Sequence, residues 1–160
     1  MKRTFNILLL CLLTAFACAF SQADKRAFYK ALSSGDEAVI DKYLAGLDKE
    51  KATSRINAYR GALIMKKAGF VKGVKGKVKT FKAGAALLEE EIGSNPGNAE
   101  YRFLRLTVQE HAPNILKYNK QLDEDKQAII AGYGKLDSDL KSIISDYSKD
   151  SKVLQAADLK

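Results

Sequence analysis

The feature that most constrains the fold is a central stretch, residues 95–118, which contains the chain's only two prolines, Pro96 and Pro113. It predicts a helix over about 99–111, because Asn98 can cap the free N-terminal amides and Pro113 disfavours helical geometry in the residue before it. At about 100° per residue, the apolar residues of this helix form two roughly opposite stripes. The stripes are Ala99, Phe103 and Leu106 on one side and Tyr101, Leu104, Val108 and Ala112 on the other. A helix with two apolar stripes needs neighbours on both sides, so we predict that it is the middle of a helical stack.

Apolar residues recur at helical spacing along most of the remaining chain. Residues 24–47 predict a helical hairpin, residues 70–92 one long helix, and two further helices are predicted before residue 147. We therefore expect an all-α single domain over residues 24–147, with about six or seven helices in antiparallel hairpins, arranged as a repeat-like or orthogonal stack. Residues 148–160 are mixed and polar, and predict a frayed or loosely docked tail.

The N-terminal 23 residues have the pattern of a secretory signal peptide. Two basic residues precede an apolar run from about Phe5 to Phe20, and small residues precede a cleavage point after Ala23. This predicts an exported protein, periplasmic or secreted, with no transmembrane span in the mature chain. Cys18 leaves a lipid-anchored alternative open, because bacterial lipoproteins are cut just before a cysteine. Both cysteines of the chain lie in this segment, so the mature protein has no disulfide.

The predicted long helix of residues 70–92 carries two polar features beside its apolar stripe. One is the lysine stripe, formed by Lys72, Lys75, Lys79 and Lys82. The other is a glycine stripe, formed by Gly69, Gly73, Gly76, Thr80 and Gly84, which indicates tight helix packing or a groove for a ligand or partner. The lysines are either a solvated surface or a contact for an anionic partner. No nucleic-acid-binding motif accompanies them, and we expect no nucleic-acid partner.

Reactive groups are scarce in this sequence. His111 is the only histidine, and no motif places a serine nucleophile near it. The phosphate-binding glycine motifs and the calcium-loop spacing are also missing from the sequence. We therefore predict a protein that is not an enzyme and has no catalytic residue, metal site or cofactor.

The most specific polar set is Arg102, Arg105 and Gln109, which share one face of the central helix. Two arginines at this spacing can clamp a carboxylate or a phosphate. The alternative is an internal ion pair with the acidic clusters of residues 89–91 or 123–125, since a middle helix needs its charges paired. These three residues and the lysine stripe are the candidate ligand-binding or partner-binding residues.

The segment Asn95-Pro96-Gly97-Asn98-Ala99-Glu100-Tyr101 resembles the junction between helical hairpins in tetratricopeptide-type repeats. The 34-residue period of that family is not visible. Residues 95–125 as a whole resemble small exported helical proteins of bacteria that have no assigned function, and this resemblance implies no catalytic residue. The sequence favours a non-enzymatic interaction module of the bacterial cell envelope, whose partner is an envelope protein or an anionic surface component. The alternative is a binder or carrier of a small anionic ligand.

Overall fold

The computed structural model describes residues 25–159; the predicted signal peptide and Cys18 lie outside this range. The described chain forms seven α-helices and no strand, which confirms the predicted all-α single domain. The helices are α1 (25–33), α2 (Glu37–Leu47), α3 (Ser54–Lys67), α4 (Val74–Ser94), α5 (Ala99–His111), α6 (Leu122–Tyr133) and α7 (Ser138–Tyr147). Two short 3-10 turns, Asn114–Leu116 and Ala156–Asp158, follow α5 and α7.

Helix α5 is the centre of the fold, as its two apolar stripes predict. It begins and ends where the caps indicate, and the side chain of Asn98 accepts hydrogen bonds from the amides of Glu100 and Tyr101. Residues 101–106 are all buried. Helices α3, α4 and α6 pack against α5, so a side chain on almost any face of this helix meets protein.

Helices α3 and α4 cross at two glycines. A Cβ atom added to Gly84 would lie 2.5 Å from the carbonyl oxygen of Gly61, and one added to Gly61 would lie 2.8 Å from that of Gly84. Such distances are far below van der Waals contact, so a side chain at either position would clash. The two backbones can approach this closely only because both residues are glycines. At Gly84, the glycine stripe serves tight helix packing.

The predicted long helix begins later than its apolar periodicity indicates. Helix α4 starts at Val74. The residue before it, Gly73, has a φ of +74°, which a residue within a right-handed helix cannot adopt, so the helix does not extend further towards the N-terminus. Of the glycine stripe, Gly69 and Gly73 lie in the connection between α3 and α4. Lys72 also lies in this connection, so only three members of the lysine stripe are helical.

The two ends of the described chain are anchored on the core. Lys25 donates to Asp137 at 2.6 Å and so joins α1 to the start of α7. The C-terminal segment is docked more firmly than its polar sequence suggests. Leu154 is fully buried, and the carboxylate of Glu110 accepts hydrogen bonds from Ser151 and from the amide of Lys152. This segment has little periodicity of its own and is held by Leu154, by the partly buried Val153 and Leu159, and by the carboxylate of Glu110 on α5.

Candidate functional site

The predicted arginine pair lies on the face of α5 that meets α6. Arg105 makes a bidentate contact with Asp125, its Nε donating to Oδ2 at 2.7 Å and its Nη2 to Oδ1 at 2.6 Å. Arg102 donates through Nη1 to Glu124 at 2.5 Å and to Asp125 at 3.2 Å. We call this set of charges, together with Glu89, the ionic interface.

Asp125 is the centre of the ionic interface. Its side chain is completely buried, and it stands in the first turn of α6, where the helix dipole favours an acid. Glu89 on α4 accepts from Nη1 of Arg105 at 2.7 Å and from the hydroxyl of Tyr118 at 2.5 Å. Burial alone would lower the pKa of Arg105, but Asp125 and then Glu89 outweigh it and raise the pKa. The guanidinium therefore stays charged inside the fold.

Gln109 continues the same face of α5 but pairs with a neutral side chain. Its amide nitrogen donates to Oε1 of Gln121 at 3.0 Å, and its Oε1 accepts from the Gln121 backbone amide at 3.2 Å. The three residues of the predicted set therefore share one face, as their spacing indicates. In the structure, both arginines are held by carboxylates of α4 and α6, which is the internal ion pair that the sequence offered as the alternative to a ligand clamp.

The lysine stripe lies on the outside of the molecule. All four of its lysines are exposed, and none of them forms an ion pair with a carboxylate among residues 25–159. Exposed charges without partners are available to an anionic surface, but their positions do not converge on an enclosed site.

A groove of about 1110 Å³ lies on the side of α5 opposite the ionic interface. It runs between α1, the junction of α3 and α4, the C-terminal half of α5, and α7. Its apolar lining includes Leu32, Phe70, Phe81, Val108, Leu116 and Ile143. Neither arginine of the ionic interface lines it. The groove and the ionic interface are therefore separate features of the same helix.

A network of rings forms the floor of the groove. Tyr29 of α1 lies 5.6 Å from Phe103 of α5, measured between ring centroids, and Phe103 lies 5.3 Å from Tyr147 of α7 in an edge-to-face arrangement. Phe103 is 1% exposed, so the floor belongs to the hydrophobic core. Because these rings pack on one another, a ligand would meet a preformed apolar surface.

The rim of the groove carries an excess of positive charge. Four cationic side chains line it: Arg26 and Lys30 of α1, Lys66 of α3 and Lys77 of α4. Arg26 is paired with Asp139 at 2.5 Å. The ammonium groups of the three lysines have no carboxylate within ion-pairing distance in the described part of the chain. Three lysine charges on this rim are therefore uncompensated.

The acids of the groove lie on its α7 side. Asp146 is paired with Lys149 at 2.7 Å, and Asp150 follows in the turn after α7. His111 also lines the groove, where its Nδ1 lies 2.9 Å from the carbonyl oxygen of Thr107. That contact lies in the last turn of α5, where a histidine side chain can hydrogen-bond one of the last carbonyl groups of a helix. Against one unpaired acid, the three lysines leave the rim net positive.

Sequence reasoning missed this groove entirely. Its lining comes from four separate parts of the chain, and none of them carries a local motif. Val108 belongs to an apolar stripe that the periodicity assigns to helix packing, and Phe70 and Ile143 lie within segments that are predicted to be helical. The only local signal was the run from Lys51 to Leu88, which contains ten basic residues and no acid, and which supplies Lys66 and Lys77.

No helix within residues 25–159 has the length and apolar character needed to span a bilayer. In the same residues, no group of three or more histidine, aspartate or glutamate side chains is arranged to hold a metal ion. Comparisons with protein families, with curated proteins and with solved structures found no match to this chain.

Proposed function

We propose that this chain is an exported, non-enzymatic helical binding module of the bacterial cell envelope, and that its groove holds an anionic amphiphile. The ligand class is a molecule with a long apolar tail and a single negatively charged head, such as a fatty acid. One observation carries the proposal: an apolar groove of about 1110 Å³ has three uncompensated lysines on its rim. Export and the envelope location are supported by the N-terminal sequence.

The apolar lining accounts for the tail. Binding sites for small molecules are usually preformed clefts of about 300–1,000 Å³, lined mainly by apolar side chains. At about 1110 Å³ the groove lies slightly above this range, and its lining extends from α1 to α7, so it has room for a long apolar chain. Each methylene group transferred from water to such a lining contributes about 0.8 kcal/mol.

The rim accounts for the charge of the head. Lys30 and Lys77 are exposed and Lys66 is half-buried, so an anionic head can meet an ammonium group without being fully desolvated. A fully buried ion pair would lose much of its Coulomb energy to desolvation, whereas a rim position avoids this loss. The groove therefore suits a ligand whose charge remains near water.

A small anionic ligand held by Arg102 and Arg105 is supported less well. Both guanidinium groups already contact carboxylates, and a ligand would have to displace Asp125, whose side chain is completely buried. The groove needs no such displacement.

The proposal is tested with the processed protein and the fluorescent anionic amphiphile anilinonaphthalene sulfonate. We expect saturable binding that palmitate displaces and that hexadecanol, which lacks the charge, displaces about tenfold less well. Ala112→Trp places an indole in the groove and should weaken binding by about tenfold or more. Ala131→Trp adds the same ring at an exposed position of α6 outside the groove, and should leave binding unchanged.

The charges are tested in parallel. Replacing Lys30, Lys66 and Lys77 together by glutamine should weaken palmitate binding and leave hexadecanol binding unchanged. The matched control replaces Lys42, Lys49 and Lys135, three exposed lysines that do not line the groove. Equal loss in both triple variants, or equal binding by the two tryptophan variants, would contradict the groove as the binding site.

A further inference from the structure

We infer that the mouth of the groove on its α4 side is a docking face for an anionic phospholipid bilayer. The face consists of the first two turns of α4 with the connection before them, and of residues 113–120. Docking on a bilayer would place the groove against a source of amphiphiles. The purpose of the docking face therefore rests on the proposed function, whereas the vesicle-binding test of the face does not.

Two large apolar side chains project from this face into solvent. Val74 is 70% exposed and Ile115 is 77% exposed, whereas Val39, the other large exposed hydrophobic residue of the described chain, is 40% exposed. Both are next to groove-lining positions: Val74 lies one turn before Lys77, and Ile115 directly precedes Leu116. The exposed tips therefore belong to the two segments that frame the groove.

These two segments are held together. The ring of Tyr118 packs edge-to-face on Phe81 of α4, with 5.2 Å between the ring centroids. The hydroxyl of Tyr118 also donates to Glu89 on the same helix at 2.5 Å. Lys117, at the end of the 3-10 turn, has a φ of +51°, so the chain turns sharply between Ile115 and the anchored tyrosine. The fold thus presents Ile115 on a fixed support beside α4.

Exposed lysines lie close to both tips along the chain. The lysine stripe lies on the α4 side, with Lys72 and Lys75 flanking Val74, and Lys117 and Lys120 are exposed on the other segment. No carboxylate among residues 25–159 pairs with any of them. Single apolar side chains within a field of exposed lysines favour an anionic bilayer, because the apolar tips enter the interface while the ammonium groups meet the lipid phosphates.

A protein partner or a nucleic acid fits this face less well. A protein interface needs a contiguous apolar patch, whereas the two tips stand singly among charges. A nucleic acid would use the lysines but would gain nothing from exposed valine and isoleucine side chains. The acids of the groove, Asp146 and Asp150, lie on its α7 side, and the proposed orientation turns that side away from the anionic lipids.

The test is sedimentation of the processed protein with vesicles of phosphatidylglycerol and phosphatidylcholine, compared with vesicles of phosphatidylcholine alone. We expect binding to the anionic vesicles only. Val74→Ser combined with Ile115→Ser should weaken it by about tenfold, with Val39→Ser as the unaffected control. Changing the lysine stripe to glutamine should weaken it by about a hundredfold or more, whereas the same change at Lys42, Lys49, Lys51 and Lys135 should have a much smaller effect.

Equal binding to both vesicle types, or an equal effect of the two sets of lysine substitutions, would overturn the docking face. The palmitate displacement assay on the same variants separates this outcome from failure of the proposed function. The Val74 and Ile115 double variant should retain palmitate binding while its vesicle binding falls by about tenfold. A wild type that binds vesicles but not palmitate would leave the docking face standing and refute the amphiphile site.

Discussion

The two sides of helix α5 differ in how completely their groups are paired. On the side of the ionic interface, Arg102 and Arg105 meet carboxylates from α4 and α6, and the central acid is completely buried. On the other side, Phe103 and Val108 face a groove whose rim lysines have no carboxylate partner in the described residues. The same helix therefore has one closed side and one open side.

The charges on the two sides therefore have different roles: those of the closed side stabilise the fold, and those of the open side are free to contact a ligand. A buried charge whose partner is removed destabilises the fold, so the arginines must remain paired for the domain to be stable. The rim lysines are hydrated, and their substitution changes little in the free energy of unfolding. In this fold the two arginines are therefore committed to internal ion pairs, whereas the rim lysines remain available to a ligand.

The strongest test of the closed side is Asp125→Asn. The substitution keeps the shape of the side chain but removes the charge that both guanidinium groups share. We expect the free energy of unfolding in urea to fall by about 3–5 kcal/mol, because an uncompensated charge is left in the interior.

The matched control for this prediction is Asp123→Asn in the same turn of α6. Asp123 is exposed, and its loss removes the same formal charge from the same helix N-terminus. Its effect should stay within about 1 kcal/mol, which is the usual range for a helix-dipole contribution. Similar losses in the two variants would show that the helix dipole, and not the arginine pairing, accounts for the effect.

A smaller effect on the free energy of unfolding is expected for Gly84→Ala, at the crossing of α3 and α4 beside the groove. The added Cβ would lie 2.5 Å from the Gly61 carbonyl oxygen and 2.7 Å from the Met65 amide nitrogen, both backbone atoms. Because Met65 lines the groove, separating α3 from α4 should also change palmitate affinity. We expect the free energy of unfolding to fall by about 1–3 kcal/mol, measured in urea.

Gly93→Ala is the control for the helix crossing. Gly93 lies near the end of the same helix, and a Cβ atom there would meet nothing within 4 Å. The helix propensity of alanine should make this variant more stable by up to about 1 kcal/mol. If Gly84→Ala were also stabilising, the close approach of the two helices would not be a constraint on the fold.

The sequence predicts the closed side of α5 much better than the open side. The bounds of this helix follow from Asn98 and Pro113, which act locally, and the shared face of Arg102 and Arg105 follows from helical spacing alone. The acidic clusters were visible as partners, although only the fold selects Asp125 as the buried one. Local rules suffice here because α5 and its partner helices are neighbours in the chain.

The open side depends on contacts between distant segments. The groove is formed only when α1 and α7, from the two ends of the described chain, pack beside α5, and no spacing rule relates them. For the same reason the sequence shows Gly84 as part of a stripe but not its contact with Gly61. Leu154 lies in a mostly polar segment, and its large apolar residues, Val153, Leu154 and Leu159, do not recur at helical spacing, so periodicity does not indicate its burial.

The smallest predicted effect concerns Glu110, the polar anchor of the open side. Although burial alone would raise its pKa, hydrogen bonds from Tyr147, from the Lys152 amide and from Ser151, with the nearby His111, lower it. A carboxylate with a lowered pKa stabilises the fold above its unfolded pKa of about 4.3, and this contribution is lost as the pH falls through the folded pKa. Glu110→Gln should therefore be less stable than wild type by about 1 kcal/mol at pH 7, and the difference should shrink as the pH falls below about 4. Glu90→Gln, at an exposed position of α4, is the control in the same urea denaturation series, and its effect at pH 7 should be smaller than that of Glu110→Gln. A difference for Glu110→Gln that stays constant with pH would mean that lost packing, and not the charge of the carboxylate, holds the C-terminal segment beside the groove.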